Sequence, residues 1–141
     1  MLVRLMYASR AADSVNQDEL LAILKQSKHN NPDLGVTGVL CFSAGFFLQV
    51  LEGGRAPVNA LYNRIVPDPR HRDVLLLSYE EVEERSFAGW SMGQANLSRL
   101  NPALVMKYSE TAVFDPYAVS GKVSMALFNE LVATASVMCL P

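Results

Sequence analysis

Three polar side chains, Tyr7, Asn31 and Gln49, fall where the hydrophobic pattern calls for core, and together they could satisfy one planar polar ligand. Gln49 is the most telling. It sits inside Phe46-Phe47-Leu48-Gln49-Val50-Leu51-Glu52-Gly53, the most hydrophobic strand-like run of the chain, and strand alternation gives it the same face as Phe47 and Leu51. An unpartnered amide buried there costs about 2 kcal/mol or more, so a polar group must meet it. An amide carries donor and acceptor on one rotatable plane, and a phenol adds a further donor. The chemistry these types suit is recognition of a polar ligand. Each residue has an ordinary local explanation: a tyrosine as amphipathic core, an asparagine before proline as a helix end, a glutamine satisfied by neighbours. The constellation is what points to a ligand.

Other reactive types do not assemble. His29 and His71 are expected on a helix end and a loop, with no Cys or His at ligand spacing, so no metal site is expected. Glu80, Glu81, Glu83 and Glu84 read as an exposed turn after a strand. Gly53-Gly54-Arg55 and Gly35 with Gly38 lack the spacing and lysine of phosphate-cradling loops and read as turn and packing glycines. Neither a serine nor a cysteine nucleophile has a histidine partner, and no enzymatic machinery is expected.

The elements that must position these residues follow from periodicity. Leu2 to Ala8 reads as a strand with Val3, Leu5 and Tyr7 on one face and Arg4 and Met6 on the other. Ser14 with Gln17 is a capping-box signature for a helix over about 15–30, carrying Leu20, Ile23, Leu24 and Ser27 and stopped by Asn31-Pro32. If that helix persists to Asn31, about 100° per residue returns the asparagine to the face of Leu20. Residues 35–42 and the Gln49 run are strands joined by a Ser43-Ala44-Gly45 hairpin. Pro57, Val58, Leu61, Tyr62 and Ile65 mark a second helix ending before Pro67. Val74 to Tyr79 reads as a central strand, and Trp90, Met92 and Gln94 alternate along a fifth. The order β-α-β-β-α-β-β is a ferredoxin-like α+β pattern, with both helices on one face of a sheet of mixed strand directions. Strands one and three are neighbours in that order, so Tyr7 and Gln49 can meet beneath the groove between the helices. After Asn101 a short helix over 103–106 and a longer one over about 117–138, started by Asp115-Pro116 and striped by Val123, Leu127 and Leu131, are expected to lid the other face.

Composition bounds the rest. A chain of 141 residues, half hydrophobic, fits one domain with a sizeable core. Its formal net charge of −2, with no basic run, argues against direct nucleic-acid or membrane-surface binding. Cys41 and Cys139 suit reduced thiols, and neither a signal peptide nor a membrane-length apolar stretch is present, so a cytoplasmic location is expected.

Tyr7, Asn31 followed by Gly35-Val36-Thr37-Gly38-Val39-Leu40, the run Phe47-Leu48-Gln49-Val50-Leu51-Glu52-Gly53, Asp68 with Arg70-His71, and Arg85-Ser86-Phe87-Ala88-Gly89-Trp90-Ser91-Met92 together resemble the BLUF family of blue-light sensors that use flavin adenine dinucleotide. The match runs in order over residues 1–96, and 97–141 are expected to be a helical cap rather than an independent domain. The resemblance implies non-covalent FAD, with FMN or riboflavin as variants, its ring held between the two helices. It implies that Asn31, helped by Asn30, bonds the C4 carbonyl and N3 edge, and that Arg64 and Asp68 lie near the C2 carbonyl and ribityl chain. Ile23 and Ile65 would sandwich the ring, and His71 would lie beside it. Tyr7 and Gln49 become the photochemical pair, tuned by Trp90 or Met92, whichever faces inward. No output domain is recognised after residue 96, so the resemblance implies a partner protein or a second copy of the chain in trans. The rivals are a small ferredoxin-like enzyme of acylphosphatase or monooxygenase kind, for which only Arg10 follows the first strand, and a colourless interaction module.

Overall fold

A computed structural model describes residues 1–95, 101–133 and 137–139, the last three by their backbone alone. In chain order the elements are β1 (Leu2–Ala11), α1 (Gln17–Leu34), β2 (Thr37–Ser43), β3 (Phe46–Gly54), α2 (Arg55–Ile65), β4 (His71–Val82), β5 (Gly93–Ala95), α3 (Pro102–Met106), α4 (Gly121–Ala133) and β6 (Val137–Cys139). The strands form one sheet in the order β4-β1-β3-β2-β5-β6. Every pairing is antiparallel except β2 with β5. This is the expected ferredoxin-like α+β arrangement, with β1 beside β3.

Alternation along the strands splits the hydrophobic residues between two cores. Val3, Leu5, Phe47 and Leu51 pack under Leu20 and Leu24 of α1 and Val58 of α2. Met6, Leu48 and Val50 point the other way, against Leu127, Phe128 and Leu131 of α4. Burying each such side chain contributes about 1.5–3 kcal/mol, enough to hold a helix on either face. The β2–β3 turn takes positive φ at Ala44 and Gly45, the two-residue geometry that matches strand twist. Gly38 is demanded by close packing: a Cβ there would run into the Val50 carbonyl on β3.

Several boundaries differ from the sequence expectation. Asn16, not Ser14, caps α1, its side chain accepting from the Glu19 N–H. Pro32 does not stop the helix: it lies in the last turn, where the loss of one N–H is tolerable, and the helix ends at Gly35 (φ 67°), whose N–H returns to the carbonyls of Asn31 and Pro32. β4 is an edge strand rather than a central one, and Leu75, Leu76 and Tyr79 are exposed on it. Glu80 and Glu81 belong to β4 and pair with Arg4 and Arg55 instead of standing in a turn. The fifth strand is only Gly93–Ala95, so Trp90 and Met92 precede it outside any strand, Met92 in a bend. The long final helix is α4 alone; Asp115 caps a turn at Tyr117, and Val137–Cys139 pairs with β5 as a strand. On α4 the buried stripe is Ser124, Leu127, Phe128 and Leu131, with Val123 half-buried. The expected division between 96 and 97 falls outside the described residues.

Candidate functional site

Tyr7 and Gln49 stand directly opposite each other in the β1–β3 ladder, so their side chains must meet on the helix-covered face. The Tyr7 hydroxyl donates to Gln49 Oε1, and Gln49 Nε2 donates to Met92 Sδ at 3.3 Å. Tyr7, Gln49 and Met92 are all buried. The amide is thereby satisfied at both ends by protein groups, a phenol and a thioether. Burial pushes the Tyr7 pKa well above its ordinary value, reinforced by Tyr62 and Asp68, so the hydroxyl keeps its proton as a donor.

Met92, and not Trp90, is therefore the neighbour of Gln49. The two are separated by one residue yet serve opposite sides of the sheet: Met92 belongs to the core under α1 and α2, while Trp90 packs against the core under α4.

Tyr7 and Gln49 form the floor of a cleft of about 730 Å³, its open mouth included, between α1 and α2. Ile23 of α1 and Ile65 of α2 both line it. Leu61 and Ile65 of α2, half-buried against the core, also line the cleft. Asn31 reaches the wall because α1 continues through it; buried, it donates from Nδ2 to the Ser91 carbonyl at 2.8 Å, which fixes its amide plane. Asn30 and Arg64 lie on the exposed rim.

Asp68 and His71 also line the cleft. Arg70 grips Asp68 through Nε at 3.0 Å and Nη2 at 2.6 Å, which holds the Asp68 carboxyl below the usual carboxylate range. His71 is buried at the start of β4 rather than solvated on a loop, its Nδ1 2.7 Å from Ser9 Oγ and its ring 4.7 Å from that of Phe47. Burial lowers its pKa, so the ring is held neutral. His29 is exposed, as expected. Arg70, Gln26, Ser27 and Leu40 line the cleft without having been singled out from sequence. Arg70 had a signal, since it sits between Asp68 and His71 in the same short motif; the others follow only from the close approach of α1 to the sheet. Among the described residues no cluster of His, Cys, Asp or Glu could hold a metal ion, and no helix is long and apolar enough to cross a membrane.

A family model described as sensors of blue light using FAD matches residues 2–93, from β1 to the beginning of β5. The chain belongs to the BLUF family. It is 35% identical over 95 residues to the photoactivated adenylate cyclase subunit beta of Euglena longa, covering 67% of this chain and 11% of that protein. It is 30% identical over 117 residues to the blue light- and temperature-regulated antirepressor BluF of Escherichia coli strain K12, covering 82% of this chain and 28% of the antirepressor. The BLUF chain thus spans about a tenth of the cyclase and under a third of the antirepressor. Among solved structures, BlsA in its photo-activated state superposes with a TM-score of 0.84 at 31% identity, covering 94% of this chain and 95% of that one. BlrB in the dark state gives 0.80 at 29% identity, with 95% and 96% covered. Family and fold make this a sensor module of the kind that detects blue light using FAD.

Proposed function

We propose that this BLUF chain senses blue light through a flavin in the cleft between α1 and α2, and that Gln49 is the switch. The observation that carries the reading is the buried relay Tyr7 to Gln49 to Met92 at the floor of that cleft. The cleft suits an isoalloxazine ring: aliphatic Ile23 and Ile65 line it from the two helices, and the amides of Asn31 and Gln49 line it as groups for the polar edge. Asn31 and Asn30 would hold the C4 carbonyl and N3 side, Asp68 and Arg64 the C2 carbonyl and ribityl side, and His71 would border the ring. These contacts address the ring, which FAD, FMN and riboflavin share; FAD is the form we favour on the family's description.

When bound and lit, the flavin supplies a strong one-electron oxidant. Tyr7 is the donor, and the Tyr7 hydroxyl proton passes along its existing bond to Gln49 Oε1 as the electron leaves. With Oε1 protonated and an Nε2 proton passed on toward the flavin, the amide would be free to rotate or to settle as its tautomer. On return of the electron and proton to Tyr7 no net reaction has occurred, but Gln49 is left donating toward the C4 carbonyl position and its Nε2 has left Met92 Sδ. Glutamine suits this role because one planar group both accepts and donates; a glutamate would bring a buried charge and a leucine no hydrogen bond.

The change leaves the site through the segment carrying Met92 and Trp90 and reaches the face covered by α4, which acts as the cap of the sensor. The reader of that face is a partner protein in trans or a second copy of the chain, and the setting is the cytoplasm. The test is direct: the purified protein should be yellow and show a reversible red shift under blue light, and Gln49→Leu should bind flavin without the shift. A Gln49→Leu protein that still shifts would refute the switch.

A further inference from the structure

Glu52 is a fully buried carboxylate, three residues beyond Gln49 on β3 and on the opposite face of the sheet. A buried charge is costly to keep, and an apolar residue of the same size would suit this core as well or better, so its partners matter. Glu52 accepts from Arg4 Nε at 2.8 Å and from two backbone N–H groups of the segment after β4, Ser86 at 2.9 Å and Phe87 at 2.6 Å. Arg4 donates in addition to Ser86 Oγ at 2.7 Å. The adjoining Arg85 donates to Thr37 Oγ1 at 3.0 Å and to the Gly35 carbonyl at 2.7 Å. Further along, the Trp90 carbonyl accepts from the Gly38 N–H at 3.1 Å and the Ser91 carbonyl from Asn31 Nδ2 at 2.8 Å.

Residues 88 and 89 between these ties are exposed, and the segment has no strand ladder of its own until Gly93. Its path is therefore set by the ties at each end. The entry tie is the Arg4–Glu52 pair, because it alone holds two consecutive amides of the segment from within the sheet. Consecutive amides gripped by one carboxylate fix both the height and the direction in which the chain leaves, and five residues later that direction decides which side chain turns toward Gln49.

We propose that Glu52 is a positioning residue for the Gln49 switch: by holding the amides of Ser86 and Phe87 it sets residues 86–92 so that Met92 sulfur lands on Gln49 and Trp90 lies in the opposite core. The assignment rests on the flavin-switch reading above. Glu52 touches neither Gln49 nor the cleft and acts only through the segment.

The chain has a single tryptophan, Trp90, so its fluorescence reports the segment without any flavin. Flavin-free wild type and Glu52→Gln are compared by acrylamide quenching, and the FAD-loaded proteins by thermal recovery after a blue pulse. The expected result is at least a twofold rise in the Trp90 quenching constant and recovery slowed two- to fivefold, with Met92→Leu adding no further slowing in the Glu52→Gln background. Wild-type quenching and recovery in Glu52→Gln, or slowing by Met92→Leu that multiplies fully onto that of Glu52→Gln, would overturn the proposal. Should Glu52→Gln not fold, the neutral pair Arg4→Met with Glu52→Gln is carried through the same measurements with the same expectations. A wild-type protein that binds FAD and shows no light-induced shift refutes the switch instead, and the flavin-free quenching still decides whether Glu52 holds the segment.

Discussion

Replacing Met92 by leucine isolates the hydrogen bond that holds Gln49 in its dark orientation. Both residues are buried, at 3% and 5% exposure, so water cannot take over the role of the sulfur. Leucine nearly conserves volume, and the packing cost of such a swap is usually below about 1.5 kcal/mol. What is lost specifically is Gln49 Nε2 to Sδ at 3.3 Å, a bond to a weak acceptor. A typical net value is about 0.5–1.5 kcal/mol, so about 1 kcal/mol is a fair central figure. In the proposed lit state the amide has already left the sulfur, so the loss falls on the dark state alone. Since about 1.4 kcal/mol is a factor of ten, 1 kcal/mol shifts the dark–lit balance roughly fivefold toward the lit state. Thermal return then slows by up to about fivefold, the full factor appearing if the sulfur contact is re-formed at the barrier.

The assay is the decay of the red-shifted absorbance after a blue pulse, at fixed temperature and pH, in wild type and Met92→Leu, with the unfolding midpoint as control for general loosening. Recovery in Met92→Leu that is faster than or equal to wild type, in a protein of near-native stability, would refute the view that Met92 is a dark-state partner of Gln49.

Tyr7→Phe keeps the ring between Tyr62 and His71 but leaves Gln49 Oε1 without its donor, so it should cost about 1–3 kcal/mol in urea unfolding and abolish the light-induced shift. His71 has a folded pKa below its ordinary 6.5, so below 6.5 the unfolded chain binds more protons and stability falls with pH; Asp68, lowered from 3.8, adds a second loss as pH falls below that value. Urea midpoints against pH should show both declines in wild type, with the first flattened in His71→Gln. Gly121→Ala should destabilise by about 1–3 kcal/mol although it improves helix propensity, because the added Cβ would lie 2.5 Å from the Leu77 carbonyl oxygen on β4; a more stable variant in thermal unfolding would contradict that contact. Amide exchange in residues 101–133 should differ between dark and lit protein, and identical exchange would place the output elsewhere.

The facing of Tyr7 and Gln49 was legible because a period of two leaves no freedom: once Val3, Leu5, Phe47 and Leu51 are inside, the phenol and the amide are inside with them. Asn31 was legible only conditionally, since a proline after it locally reads as a stop, and it is the C-terminal glycine that decides where α1 ends. The position of Met92 was not legible. Alternation from Trp90 to Gln94 presumes a strand, whereas the segment is routed by hydrogen bonds donated by Arg4, Gly38 and Asn31 and by those it donates to Glu52, all distant in sequence. The same reason hid His71, whose partner Ser9 lies on β1, across 62 positions of sequence. Val137 and Met138 were read as helix because the spacing of Leu127 and Leu131 invites continuation, while the strand pairing of Val137–Cys139 depends on the edge of β5.

The segment before β5 has two outward connections that a regular strand would not provide in the same way. Its single intervening residue, Ser91, is tied to α1 by Asn31, while Met92 enters one core and Trp90 the other. In the proposed switch Ser91 would serve as a fulcrum: an amide that lets go of Met92 sulfur would release one arm, and the other arm is a tryptophan already packed against the core that contains Leu127 and Phe128 of α4. Interiors are close-packed, so a displaced ring of that size must be answered by its neighbours rather than absorbed. The edge strand β4 is a poorer conduit from Gln49, because β1 stands between β3 and β4. The geometry thus favours transmission through the sheet at the β2–β5 side, where β5 continues directly from Met92.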